Sequence, residues 1–386
     1  MRSALVRSVL VVPLLGLAAA CAGRNDTSEP PAELVQFDET LRVRKVWSKK
    51  VGGGTERLRL GLRPASDGAR LYAGAHNGEV VSFDAETGRQ IWAIKTRLAL
   101  AAGPGVGEGL VVFGTSDGEL VALDAASGAE RWRQPIGSEV LAPPAVAPNV
   151  VVARSVDGRL RGFSTLNGNE LWSVAQNTPA LTLRGNTAPR VAGATVLSGF
   201  NNGRVGAYEV ATGEAIWEVA VANPTGRSDL ERLVDVSAGL QVVGNTAYVV
   251  GYQGRAVGID LNSGAVLWQQ DMSSYAGLGA DLNNIYVTND VSAVVALERG
   301  AGTQVWRQDA LRLRDVTAPT RYANTVVVGD FEGYLHWLDP NDGRFIARER
   351  AASERITGPP LVVGQSVFVQ GEDGTVAAYR VQEDAA

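Results

Sequence analysis

A sixteen-residue segment recurs along this chain without a gap. A period of 40–50 residues means stacked copies of one supersecondary unit, so this self-similarity limits the fold more than any other feature. NGEVVSFDAETGRQIW, DGELVALDAASGAERW, DGRLRGFSTLNGNELW, NGRVGAYEVATGEAIW and QGRAVGIDLNSGAVLW superimpose and end at Trp92, Trp132, Trp172, Trp217 and Trp268. A sixth copy, VSAVVALERGAGTQVW, carries Ser292 at the glycine position and ends at Trp306; a seventh, EGYLHWLDPNDGRFIA, has Ala347 in place of tryptophan. DGTVAAYR, from Asp373, begins an eighth. The shared second positions, Gly78, Gly118, Gly158, Gly203, Gly254, Ser292, Gly333 and Gly374, lie 40, 40, 45, 51, 38, 41 and 41 residues apart.

Each unit reads as a four-stranded antiparallel meander. Apolar runs such as Arg70 to Ala73 and Leu110 to Phe113 precede an Asn-Gly or Asp-Gly pair, which supplies positive φ at little steric cost. An alternating strand such as Glu79 to Asp84 follows, then a second turn with glycine at Gly88, Gly128, Gly168, Gly213, Gly264, Gly302 or Gly343, and a last strand bearing the aromatic. One such sheet cannot cover both its faces, and antiparallel units of about 40 residues stack radially. The predicted fold is therefore all-β, an eight-bladed β-propeller. The tryptophan site occurs at Trp47 before the first Asn-Gly unit, and the eighth unit lacks its last strand, so the strand around Val43 to Ser48 is expected to complete the blade begun by about Leu361 to Tyr379. Each tryptophan buries roughly 150–250 Å², at most about 4 to 6 kcal/mol, so these indoles are read as packing between blades and binding nothing.

Composition removes most chemistry. With 36 basic and 41 acidic side chains the charge is −5, and no basic domain invites nucleic acid. One cysteine excludes an internal disulfide or a cysteine-based zinc cluster. The two histidines, His76 before an Asn-Gly turn and His336 within a strand, are expected to be turn or packing residues, and Asp117, Asp157 and Asp373 to be turn formers. GxSxG, HExxH, P-loop and EF-hand patterns are absent. No catalytic residue, metal ligand or cofactor is predicted.

Residues 1–20, MRSALVRSVLVVPLLGLAAA, have the form of an export signal: Arg2 and Arg7, an apolar run from Val9 to Leu17, and three alanines. The run is about half the roughly 20 residues that a spanning helix needs. Loss of this segment would leave 34 basic against 41 acidic side chains, a charge of −7. The segment from Ala22 to about Thr40 is polar, contains Pro30 and Pro31, and reads as a flexible tether. The expected organisation is a signal peptide over 1–20, a modified N-terminus and tether over 21–40, the propeller over 41–382 and a tail over 383–386.

The repeat, an aliphatic strand, Asp-Gly, ALDA and a Gly-x-x-x-Trp ending, resembles that of pyrroloquinoline-quinone enzymes across about residues 43–380. The ending of the first segment, with Cys21 directly after it, resembles a bacterial lipoprotein signal. This implies that Cys21 is acylated and, with Ala22 rather than aspartate next, that the protein moves on to the outer membrane and faces the periplasm. Several acyl chains at about 0.8 kcal/mol per methylene would hold it there.

Together, the signal, tether, eight blades without quinone ligands and two long insertions resemble the BamB family of the outer-membrane β-barrel assembly machinery. PALTLRGNTAPR, Pro179 to Arg190, and ERLVDVSAG, Glu231 to Gly239, carry the likeness most closely. Both fall where the repeat lengthens, between Trp172 and Phe200 and between Trp217 and Tyr248, and loops on a rigid ring commonly carry recognition. The resemblance implies contact with the periplasmic domains of BamA, alongside the machinery's other lipoproteins, through Leu181, Leu183, Arg184 and Asp235. Unfolded outer-membrane proteins are further possible clients. The family's second aspartate is Ser237 here. By alternation Leu181 and Leu183 point the same way beside Arg184, an apolar anchor with an arginine. The residues alone leave open that both leucines face inward and that Arg184 pairs with an acid such as Asp235. Two other functions remain at this point: a propeller lipoprotein of another envelope complex, and a periplasmic quinoprotein enzyme.

Overall fold

The computed structural model describes residues 29–55, 58–179, 181–183, 187–236 and 238–382. Cys21, the export signal and the tail over 383–386 lie outside these residues. The remainder forms eight antiparallel sheets of four strands each, arranged as an eight-bladed propeller. One sheet is widened by the two-residue strand Gly61–Leu62, which pairs in parallel with Leu100–Gly107.

The ring closes as its ends require. Val43–Lys50 pairs with Thr375–Val381, running from Val43 opposite Val381 to Lys50 opposite Thr375, and so supplies the outer strand of blade eight. Every other blade is a simple meander, for example Ala65–Ser66, Arg70–Gly74, Glu79–Asp84 and Gln90–Lys95 in blade one. At the second turns an acid holds the loop from below: Asp84 Oδ1 accepts from the Thr87 amide and hydroxyl, and Asp124 and Asp260 do the same with Ser127 and Ser263. Such side chain-to-backbone bonds favour turn over strand at these points.

Seven indoles join the blades. Each Nε1–H donates to a backbone carbonyl at the second turn of the next blade: Trp47 to Ala85 at 3.2 Å, Trp172 to Val210 at 2.9 Å, Trp217 to Leu261 at 2.8 Å and Trp306 to Pro340 at 2.8 Å, with Trp92, Trp132 and Trp268 alike. The turn's glycine lies against the ring. At Gly264, with φ +73°, a Cβ would stand 2.7 Å from Trp217, and at Gly213, also +73°, 2.6 Å from Trp172. Glycine is required there for conformation and for space.

Ala347 breaks the series for a topological reason. Its neighbour, blade eight, has no second turn, because its third and fourth strands come from opposite ends of the chain. Residues 31–41 run along blade seven and bring Leu41 into this joint, where the sequence suggested a free tether. Phe37 stacks on Phe345 with centroids 5.4 Å apart, and the Thr40 and Leu41 amides both donate to the Ile346 carbonyl at 3.0 Å. Arg314 and Arg348 donate to the Ala32 and Val35 carbonyls, each at 2.9 Å. Apolar side chains that the pattern could not distinguish from tether residues, Leu34, Phe37 and Leu41, pin this strap to blade seven.

We predict that Trp217→Ala lowers stability by about 3 to 5 kcal/mol, as expected for removing a buried aromatic, while Ile216→Ala, one residue earlier and half exposed, changes it by less than about 1 kcal/mol. Urea unfolding followed by fluorescence measures both.

Candidate functional site

The two long connections cover one region of the ring. The first, residues 176–189, joins Glu170–Ala175 of blade three to Arg190–Ala192 of blade four; the second, 221–240, joins Ala215–Ala220 to Gln241–Val243 of blade five. Polar bonds stitch them to each other and to the blades. Thr187 Oγ1 donates to the Val236 carbonyl, and the Val236 amide donates to Phe200 O at 3.1 Å. Within the second connection Glu231 Oε2 accepts from the Arg227 and Ser228 amides, at 2.7 and 3.1 Å, and these bonds hold its carboxyl below the usual range.

Leu181 and Leu183 do not share one environment. Leu181 is 42% exposed, whereas Leu183 is half-buried and enters a depression of about 630 Å³ at the mouth of the ring's axis. Leu60, Leu141, Val316 and Ile356 form apolar parts of its lining, with the more exposed Leu58 and Tyr275. Arg59 and Arg355 pair with Asp315 at 3.2 and 3.8 Å beside it. The segment at 181–183 is not in a strand, so the alternation that would turn both leucines one way has no ladder to impose it. Arg184 and Ser237 lie outside the described residues.

Asp235 is not a surface acid. It has no exposed area and forms an isolated bridge with Tyr252, whose amide donates to the Asp235 carbonyl at 2.7 Å. Its carboxylate accepts from Asn201 Nδ2 at 2.9 Å, and Asn201 Oδ1 in turn accepts from the fully buried Arg154, whose guanidinium lies 5.3 Å from the Phe200 ring centre. Burial pushes the Asp235 carboxyl up to about 7, opposed by the Arg154 charge and the Asn201 bond. Burial likewise lowers Arg154 to about 10, opposed by Asp235 and Asp157. An arginine of blade three, an amide of blade four and an acid leading into blade five thus form a buried relay beneath both connections.

Sequence reasoning missed Arg154, although a signal existed. Four residues before the first-turn glycine, other blades carry Gly74, Gly114, Gly199 and Gly329; blade three alone carries an arginine there. Tyr275 and Leu58 had no comparable signal, since only the fold brings them to the axial mouth.

The histidines are held in structural contacts. His76 Nδ1 lies 2.9 Å from the Leu100 carbonyl. His336 is buried; its Nδ1 accepts from Arg348 Nε at 3.1 Å, which leaves the proton on Nε2 to bond Asp330 at 3.0 Å. Among the described residues no three His, Cys, Asp or Glu side chains converge as metal ligands. Asp157 and Asp373 serve their turns, accepting from the Arg159 and Thr375 amides.

The chain matches the protein family described as outer membrane protein assembly factor BamB over residues 33–99, 76–308 and 290–385. It is 50% identical over 372 residues to the outer membrane protein assembly factor BamB of Pseudomonas aeruginosa, covering 96% of this chain and 98% of that one. The crystal structure of BamB from Moraxella catarrhalis superimposes with a TM-score of 0.81 at 26% identity, over 88% of this chain and all of that one. A quinohemoprotein alcohol dehydrogenase from Comamonas testosteroni has a TM-score of 0.72 at 12% identity, over 89% and 77%, a likeness of fold alone.

Asp235 generates a pH prediction. A carboxyl raised from about 4 unfolded to about 7 folded favours the protonated native state, so its contribution to stability falls as pH rises through that window. Asp235→Asn, which keeps an acceptor for Asn201, should therefore gain stability relative to wild type between pH 5 and pH 8, measured by urea unfolding at both values.

Proposed function

This chain belongs to the BamB family of outer membrane protein assembly factors, and from that premise we propose that it is a non-catalytic scaffold holding the barrel-forming subunit, BamA, through the face built on blades three to five. In this reading Cys21 carries lipid that tethers the propeller at the outer membrane, facing the periplasm. The machinery's other lipoproteins are neighbours, and unfolded outer-membrane proteins are clients.

One observation carries the proposal. An exposed leucine, Leu181, stands two residues from a leucine that enters an apolar depression, Leu183, on a connection bonded to blade three through Thr178, to blade four through Gln176 and to the second connection through Thr187 rather than hanging free. Apolar anchors on a pre-positioned segment lose little entropy on binding, and arginine beside them adds a planar donor for carboxylate or backbone oxygen. In this division of roles Leu181, Leu183 and Arg184 touch the partner. Asp235, which has no exposed surface, is a positioning residue acting through Asn201 and the chain around it.

Leu181→Ala or Arg184→Glu should weaken binding to the periplasmic domains of BamA by about 2 kcal/mol or more, a factor near 30, with unchanged circular dichroism. Isothermal titration with those purified domains reads the effect; wild-type affinity in both variants would end the proposal. Asp235→Ala should weaken binding and also raise protease sensitivity in 176–189, the mark of a residue that acts through the segment's position.

A further inference from the structure

We propose that the axial channel of the ring binds a small oxyanion, a carboxylate or phosphate group, between Arg63 and Arg190. The inner strands of the blades line a cavity of about 540 Å³ that includes both arginines. Arg190 opens the inner strand of blade four. Arg63 follows the short parallel strand Gly61–Leu62; its amide donates to Gly103 O at 3.1 Å, which fixes the backbone where the chain enters blade one. Across from it a Cβ on Gly358 would stand 3.5 Å from the Arg63 Cβ and Cδ, so the arginine stem lies over bare backbone.

Among the described residues the channel supplies two positive charges and no counter-charge. Its described lining contains no aspartate or glutamate, and neither guanidinium has a hydrogen bond or ion pair with another group. Its neutral polar groups donate to the backbone instead: Thr320 to Pro360 O at 2.8 Å, Thr357 to Gln370 O at 3.1 Å and Gln241 to Leu278 O at 3.4 Å. The rest of the wall is aliphatic and proline, including Leu141, Leu240 and Leu278.

Arg63 is half-buried and Arg190 exposed at the opening, and the low-dielectric walls between them focus the field of both charges into it. Burial, followed by the charge of Arg190, holds the Arg63 guanidinium below its ordinary value, so the two cations act on each other across the channel. An oxyanion between them would replace that repulsion by charge-assisted hydrogen bonds, for which the planar guanidinium fork is suited. The apolar wall leaves room for a ligand whose acidic group is joined to a hydrocarbon body.

The test is thermal unfolding of the full-length protein with inorganic phosphate or citrate, against chloride at matched ionic strength, with titration calorimetry of whichever responds. The expected result is a saturable rise in Tm with phosphate, citrate or both. A response to phosphate alone assigns a phosphate-bearing ligand, and a response to citrate alone a carboxylate. Arg63→Gln and Arg190→Gln should each weaken the response at least tenfold, and the double variant should abolish it. Arg63→Lys, which keeps the charge but loses the fork, should fall between and guards against misfolding as the cause. No saturable rise, or an equal rise in a folded double variant, would overturn the assignment.

Discussion

The joint between an indole and a glycine organises this molecule. A four-stranded blade has two faces to cover and can do so only against neighbours, so the ring stands or falls with what holds one blade to the next. Seven times a tryptophan on an outer strand lies on the second-turn glycine of the following blade and donates to a carbonyl of that turn. The contact combines large apolar burial with a satisfied N–H, and it needs both partners: a side chain on the glycine would occupy the ring's place. The single joint without it, at Ala347, is the one whose facing turn does not exist; there the N-terminal strap bonds the Ile346 carbonyl through Thr40 and Leu41, and Leu41 packs into the joint.

That joint is also why so much of the fold is legible in the sequence. The tryptophan and glycine recur in register, their number gives the blade count, and the displaced first tryptophan gives the closure. Less visible was the bulge at each outer strand. In blade one Trp92 pairs with Ser82 and Gln90 with Phe83, so Ile91 is skipped; the same slip exposes Leu171, Ile216, Leu267 and Val305. A strictly alternating pattern cannot announce which of two adjacent apolar residues turns outward. The strap was illegible for a related reason, since its apolar residues are too few and too irregular to show a period.

The candidate site was legible in place but not in depth. Extra repeat length located both connections, and Leu181 and Leu183 are on them. What the sequence could not supply is the distinction between surface and support. Asp235 reads as a lone acid between Val234 and Val236, yet its environment is set by Arg154 and Asn201, which are 81 and 34 residues away in the chain. Burying such groups is costly unless each is bonded, and such a relay holds three blades in one arrangement. A rigid ring carrying stitched connections can present apolar side chains without first ordering them, which suits a scaffold better than a lid or a hinge.

A scaffold of this kind needs contact through this face of the ring and not through its far side. Photo-crosslinking in living cells measures that directly, with a photoreactive residue placed at Leu181 and, as a control on the opposite blade, at the exposed Asp342. The account predicts a BamA adduct from position 181 and none from 342; an adduct from 342 with none from 181 would contradict it.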